Sequence, residues 1–89
     1  MADENIIYIG KKPTMNYVLA CVTLFHNGQK EVVVKARGKA ISKAVDVVQA
    51  VKNKFLQDLK IENVEIGTEE VEGEGKKLNV STITITIKQ

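Results

Sequence analysis

Residues 6–13 read Ile6-Ile7-Tyr8-Ile9-Gly10-Lys11-Lys12-Pro13. Four consecutive apolar residues are the pattern of a short strand covered on both faces. A glycine and two lysines end the run. Proline fits the first position of a following helix, where its φ is preset and its missing N–H costs nothing. Met15, Val18, Leu19, Val22 and Phe25 then recur at helical spacing, and Tyr17, Cys21 and Leu24 add apolar surface on another side, so a well-buried helix is expected. Asn27-Gly28 is its stop signal. Val32-Val33-Val34 supplies a second β-branched run. Residues 6–34 therefore form a candidate parallel βαβ unit.

The same design repeats once. Arg37-Gly38-Lys39 follows the second strand and leads into a second helix, with Ile41, Ala44, Val45, Val48, Val51 and Phe55 on one face. Ile61, Val64 and Ile66 mark a third strand, and Glu72-Gly73-Glu74-Gly75 is the clearest turn signal in the chain. In the last segment Ile83, Ile85 and Ile87 alternate with Thr82, Thr84 and Thr86, whereas Leu78 and Val80 upstream have the opposite parity. The alternation slips near Ser81. A bulge would do this, and so would a hairpin whose tip leaves the body and packs elsewhere. The predicted order is β-α-β-α-β-β in an α/β fold of the two-layer α+β kind. It forms a single domain over residues 1–89, with a C-terminal hairpin arm over about residues 64–85 and no linker, repeat or low-complexity tract.

An 89-residue chain buries roughly 60–70% of its unfolded surface, so its core is modest and association would help it. No apolar run approaches the ~20 residues of a membrane span. Met1-Ala2-Asp3-Glu4 is short and acidic, unlike a signal or transit peptide, so an intracellular protein is expected. The single cysteine, Cys21, excludes an internal disulfide and a cysteine-based zinc site, and is expected in the core.

The net charge of +2 hides an asymmetry. Residues 10–45 carry seven bases (Lys11, Lys12, Lys30, Lys35, Arg37, Lys39, Lys43) and one acid, Glu31, a net +6. Residues 57–75 carry seven acids and one base, Lys60, a net −6. A basic N-terminal half suits a polyanionic partner. If the first two strands are parallel, both basic turns lie at one edge of the sheet, each before a helix N-terminus with unpaired N–H groups and partial positive charge. Lys11, Lys12, Arg37 and Lys39 then make a phosphate site. Lys43 is four residues from Lys39 on one helix face, and Lys35 points the same way as Arg37 if the strand persists. Any one lysine is ordinarily a solvated side chain; the duplicated arrangement argues for function.

Catalysis finds no support. There is no phosphate-loop consensus and no G-x-G-x-x-G, so no cofactor is expected. His26 is the only histidine and lacks partners for a metal, so no metal site is expected either. Asp46, flanked by valines, is expected to face solvent or a lysine, and no nucleophile–base pair is present. The four aromatics, Tyr8, Tyr17, Phe25 and Phe55, form no strand pattern for stacking unpaired bases.

Four stretches carry a resemblance: Ile9-Gly10-Lys11-Lys12-Pro13-Thr14-Met15-Asn16-Tyr17-Val18, Val34-Lys35-Ala36-Arg37-Gly38-Lys39-Ala40-Ile41-Ser42-Lys43-Ala44-Val45-Asp46, Asn53-Lys54-Phe55 and Val80-Ser81-Thr82-Ile83. They resemble the signature segments of the Alba family of archaeal chromatin proteins, and the likeness runs from about residue 5 to residue 88. The resemblance implies a fold similar to the C-terminal domain of bacterial translation initiation factor three. It also implies a homodimer built through the second helix and last two strands, and little sequence preference in binding double-stranded DNA and often RNA. It assigns nucleic-acid contacts to Lys11, Lys12, Lys35, Arg37, Lys39 and Lys43, with arms reaching along the minor groove; Lys76 and Lys77 lie in this arm. It makes Lys11 a candidate acetylation site and Phe55 a contact between neighbouring dimers on DNA. One departure is the acidic arm, Glu69-Glu70-Val71-Glu72 before the turn and Glu74 within it, which should repel phosphates near the tip.

The expected function is thus non-catalytic coating and compaction of DNA by a cytoplasmic, nucleoid-associated homodimer that associates further on DNA. The alternatives are an RNA-binding protein in RNA processing or translation, and an assembly module with weak nucleic-acid affinity.

Overall fold

The structure, a computed structural model, describes residues 5–89; the N-terminal tetrapeptide read above lies outside the described residues. The element order is β1 (Ile6–Tyr8), α1 (Thr14–His26), β2 (Glu31–Arg37), α2 (Ile41–Ala50), β3 (Lys60–Gly73) and β4 (Lys76–Lys88). A single turn of 3₁₀ helix, Gly38–Ala40, precedes α2, and a wider turn, Val51–Phe55, extends it. One four-stranded sheet runs β1-β2-β4-β3. β1 and β2 are parallel, and the other neighbours are antiparallel. This is the predicted β-α-β-α-β-β order in two layers, with both helices on one face of the sheet.

The core lies between those layers. Val32, Val34 and Ala36 of β2 and Ile83, Ile85 and Ile87 of β4 meet Val18, Cys21 and Phe25 of α1 and Ala44, Val47 and Val48 of α2. Alternation along a strand places Val33, Lys35 and Arg37 on the other face, where no helix covers them. Burying each branched side chain contributes roughly 1.5–3 kcal/mol. At the end of α1, Gln29 N–H donates to Leu24 O at 3.1 Å and Gly28 N–H to Phe25 O at 3.1 Å. These two bonds are the Schellman closure that Asn27-Gly28 predicted.

Several expectations need correction. β1 is an edge strand and is covered on one face only: Ile9 is buried, while Tyr8 is 65% exposed. A continuous apolar run cannot distinguish a doubly covered strand from an edge strand with one outward aromatic. Pro13 stands just before the first helical residue, Thr14, rather than at that position. Helix α1 buries a narrow stripe, and Met15 and Leu19 stay largely exposed. On α2, Val47 is buried where Val45 was expected. Phe55, open to reading as the last core contact or as a protein–protein anchor, is 44% exposed at the end of the widened turn, where Leu56 N–H reaches back five residues to Val51 O. Leu59, 1% exposed, fills the core instead.

The hairpin is longer than the 64–85 expected, and its irregularity lies between Ile61 and Asn63 rather than at Ser81. β4 is regular throughout, but β2 accompanies it only from Thr82 to Lys88. Beyond Thr82 the two strands project as an arm, so Leu78 and Val80 answer to a different face from the core isoleucines. The tip is closed by Glu74 and Gly75, both with positive φ, 51° and 75°. That geometry is a two-residue type I′ turn, whose twist matches the flanking strands.

Cys21 is fully buried, and the lack of solvation pushes its thiol up from 9.0 to about 12. The folded protein should therefore resist thiol alkylation at neutral pH. Because the folded pKa is raised, this stabilisation is complete below pH 9.0 and lost as pH rises towards about 12. The urea midpoint should fall more steeply over that window than in Cys21→Ala.

Candidate nucleic-acid interface

Parallel pairing of β1 with β2 brings Gly10-Lys11-Lys12-Pro13 and Arg37-Gly38-Lys39 to the same edge of the sheet. The two turns border one open concavity. Lys11, Lys35, Arg37, Lys39 and Lys43 line it with Tyr8, Glu69, Thr82 and Thr84. Five of the eight basic residues singled out from the sequence are thus brought together. Lys12 turns to the other side of its loop, beside Asn16 and Tyr17. Lys76 and Lys77 sit at the tip of the arm, six and five residues beyond Thr82, roughly 20 Å and 17 Å of strand away.

Two side chains hold the first loop. The Tyr17 hydroxyl accepts from the N–H of Gly10 at 2.9 Å and of Lys12 at 3.1 Å. The Lys43 ammonium donates to the carbonyls of Gly10 and Lys12, both at 3.0 Å. Backbone groups that would otherwise depend on water are bound by the protein itself. The cation of Lys43 is thereby directed at the loop, where it adds charge without projecting outward. In the second loop, Gly38 has φ 57°, and a Cβ there would stand 3.4 Å from Val80 Cγ1. A side chain at this position would be strained by its backbone and crowded by the arm.

Charge is distributed unequally over the concavity. Among the described residues, Lys11, Lys35 and Lys39 make no ion pair or side-chain hydrogen bond, whereas Arg37 Nη1 meets Glu69 Oε1 at 2.6 Å. Both partners are more than half exposed, so the pair adds little stability. Its importance is positional, since a carboxylate of β3 occupies the guanidinium at the mouth of the basic cluster. Near the tip, Lys77 Nζ lies 3.7 Å from Glu70 Oε1.

Tyr8, Tyr17 and Glu69 were missed as site residues in the sequence. Tyr17 and Lys43 have no local signal for their role, because each acts on a loop from a helix. His26 and Asp46 are exposed. No cluster of His, Cys, Asp or Glu able to hold a metal exists among the described residues, and no helix there is long and apolar enough to cross a membrane.

The fold and this edge define a class: small two-layer α+β domains with a long hairpin arm and duplicated basic helix-entry loops. The chain belongs to the Alba family, whose model matches residues 5–68. It is 54% identical over 89 residues to the DNA/RNA-binding protein Alba of Thermoplasma acidophilum, covering all of both chains. To the protein of that name in Methanocella arvoryzae it is 52% identical over 90 residues, covering all of this chain and 94% of the other. Among solved structures, Alba from Thermoplasma volcanium superposes with a TM-score of 0.93 at 53% identity, over 96% of this chain and all of that one. ALBA1 from Trypanosoma brucei superposes at 0.80 with 28% identity, over 97% of this chain and 69% of that one.

Removing the Tyr17 hydroxyl tests the loop lock. Tyr17→Phe should cost about 0.5–1.5 kcal/mol for each bond lost. Hydrogen exchange should accelerate selectively at the amides of Gly10 and Lys12.

Proposed function

We propose that this chain binds nucleic acid without catalysing a reaction, mainly through the phosphate backbone and with little sequence preference. The observation that carries this is the convergence of Lys11, Lys35, Arg37 and Lys39 around one concavity, beside the ordered loop that bears Lys12. The names of the relatives support both DNA and RNA as partners. Such contacts position a protein on a duplex and carry no base information. The arm, with Lys76 and Lys77, extends this footprint along a groove, its acids limiting the attraction. Lys11 is the candidate for acetylation, which would remove a cation at the concavity. A cytoplasmic, nucleoid-associated role in coating and compacting DNA follows from this reading.

We further propose a homodimer. Ile61, Val64 and Ile66 pair with Ile87, Ile85 and Ile83, and so lie on the helix side of the sheet, yet they are 44%, 52% and 83% exposed. Neither helix covers β3, and a second copy would. Ile83, Ile85 and Ile87 are already buried within the chain's own core, so the dimer surface is better assigned to β3 than to the last strand. The exposed Phe55 is suited to contacts between dimers rather than to the core.

Neutralising Lys11 should weaken binding to all duplex sequences alike and flatten the plot of log affinity against log salt by roughly one unit. Glu69→Gln should release Arg37 and do the reverse, with tighter binding and a steeper slope. Unchanged affinity in both variants, measured at low salt by fluorescence anisotropy, would reject the interface and favour an assembly module. Competition between matched RNA and DNA duplexes decides which is preferred.

Sedimentation at micromolar concentration should give twice the 9.8 kDa chain mass. Ile66→Asp, at a site that is solvent-exposed in the single chain, should yield a folded monomer of unchanged helix content. A wild-type monomer at that concentration would overturn the dimer.

A further inference from the structure

Tyr8 is 65% exposed beside the basic cluster. Tyr8 pairs with Lys35 across the parallel ladder, and its neighbour Ile7 pairs with the buried Val34. Tyr8 therefore stands with Lys35 on the open face of the sheet, at the edge where it also borders Asn16 and Tyr17 of α1. Lys35 pairs in turn with Thr84 of β4, so tyrosine, lysine and threonine form one row across three strands. Lys11, Arg37 and Lys39 border the same concavity. β1 is an edge strand, so no further strand flanks Tyr8 on its outer side. The other aromatics are committed elsewhere: Phe25 is buried, Tyr17 binds the first loop, and Phe55 follows α2.

An exposed aromatic face with cations on several sides is the arrangement that holds an unpaired nucleotide, its base stacked on the ring and its phosphates on the basic groups. Base pairs inside a continuous duplex offer no free face, because each is already stacked above and below. We propose that Tyr8 is a stacking site for one unpaired nucleobase, giving this chain a preference for strand ends, loops or single-stranded segments that its charge alone would not confer. Lys35, and Thr84 beyond it, lie on the inner side of the base, and Lys11, Arg37 and Lys39 lie where the adjoining phosphates run. The proposal rests on the nucleic-acid reading above and deepens it.

The test compares an unpaired oligoribonucleotide and an unpaired oligodeoxyribonucleotide with duplexes of equal length, at one salt concentration, for wild type, Tyr8→Ala, Tyr8→Leu and Tyr8→Trp. Tyr8→Ala and Tyr8→Leu should lose roughly 5- to 150-fold in affinity for at least one unpaired strand, the loss of one base–aromatic contact. Duplex affinity should stay within about twofold, and the salt slope should not change, because no phosphate contact is removed. Tyr8→Leu keeps an apolar side chain, so its loss reports the aromatic face and not the fold. Tyr8→Trp should retain affinity. The chain otherwise has no tryptophan, so the new fluorescence should be quenched by unpaired strands and not by duplex. The two strand chemistries show whether RNA, DNA or both supply the base. Undiminished binding of unpaired strands by both Tyr8→Ala and Tyr8→Leu, or equal losses for duplex and unpaired strands, overturns the stacking site. Duplex binding that persists in wild type with its salt dependence intact leaves the charge-based reading standing in that case, so the two failures are distinguishable.

Discussion

Three residues of β1 lie beside three of β2 and run in the same direction, Ile6 with Val33, Ile7 with Val34 and Tyr8 with Lys35. Much of the rest depends on this short parallel ladder. Parallel neighbours cannot be joined by a tight turn, so the chain must cross over, and α1 is that crossover. The crossover brings Val18, Cys21 and Phe25 onto the sheet. Both strands then end at the same edge, and each is followed by a glycine, basic residues and a helix. The cationic concavity is thus a consequence of strand direction. An antiparallel pairing would have sent the two loops to opposite ends of the sheet and left two weak basic turns instead of one site.

A second constraint acts within that edge. Like charges gathered on a flexible loop would repel one another and spread. Here the first loop is tied at both its amides and its carbonyls, by Tyr17 from α1 and by Lys43 from the start of α2. Two side chains from the helical layer thus preorganise the backbone that presents Lys11 and Lys12. Lys43 illustrates why a basic residue in a cluster need not be a direct ligand. Its ammonium is held by two carbonyl oxygens and raises the local potential from behind the loop.

The arm carries the opposing influence. Past Thr82 no third strand pairs with it, and two strands without a covered face are marginal in water. Its acids are partly answered by bases, Glu69 by Arg37 and Glu70 by Lys77. These contacts sit at the base and along the length of the arm, and the first engages a residue of the basic edge. Attraction at the edge and repulsion along the arm therefore act on the same polyanion. The balance between them is tuned by single carboxylates and depends on salt, because the paired groups, Arg37, Glu69, Glu70 and Lys77, are all exposed.

The element order, the stop of α1 at Asn27-Gly28, the turn near Gly75, the core face of β4 and the clustering of bases ahead of both helices are legible in the amino-acid order alone. These are local properties: period, β-branching, turn chemistry and charge are written in consecutive residues. Packing between distant elements makes β1 an edge strand with Tyr8 turned outward, sets Phe55 outside the core on a widened turn, lets Lys43 prop a loop, and brings Glu69 to Arg37 across 32 positions. Each of these depends on which element lies beside which, and on what a neighbour leaves uncovered. Two strands with the same apolar pattern differ in function when one has a partner on each side and the other does not. That difference arises from packing between distant segments, which no periodicity within either strand records.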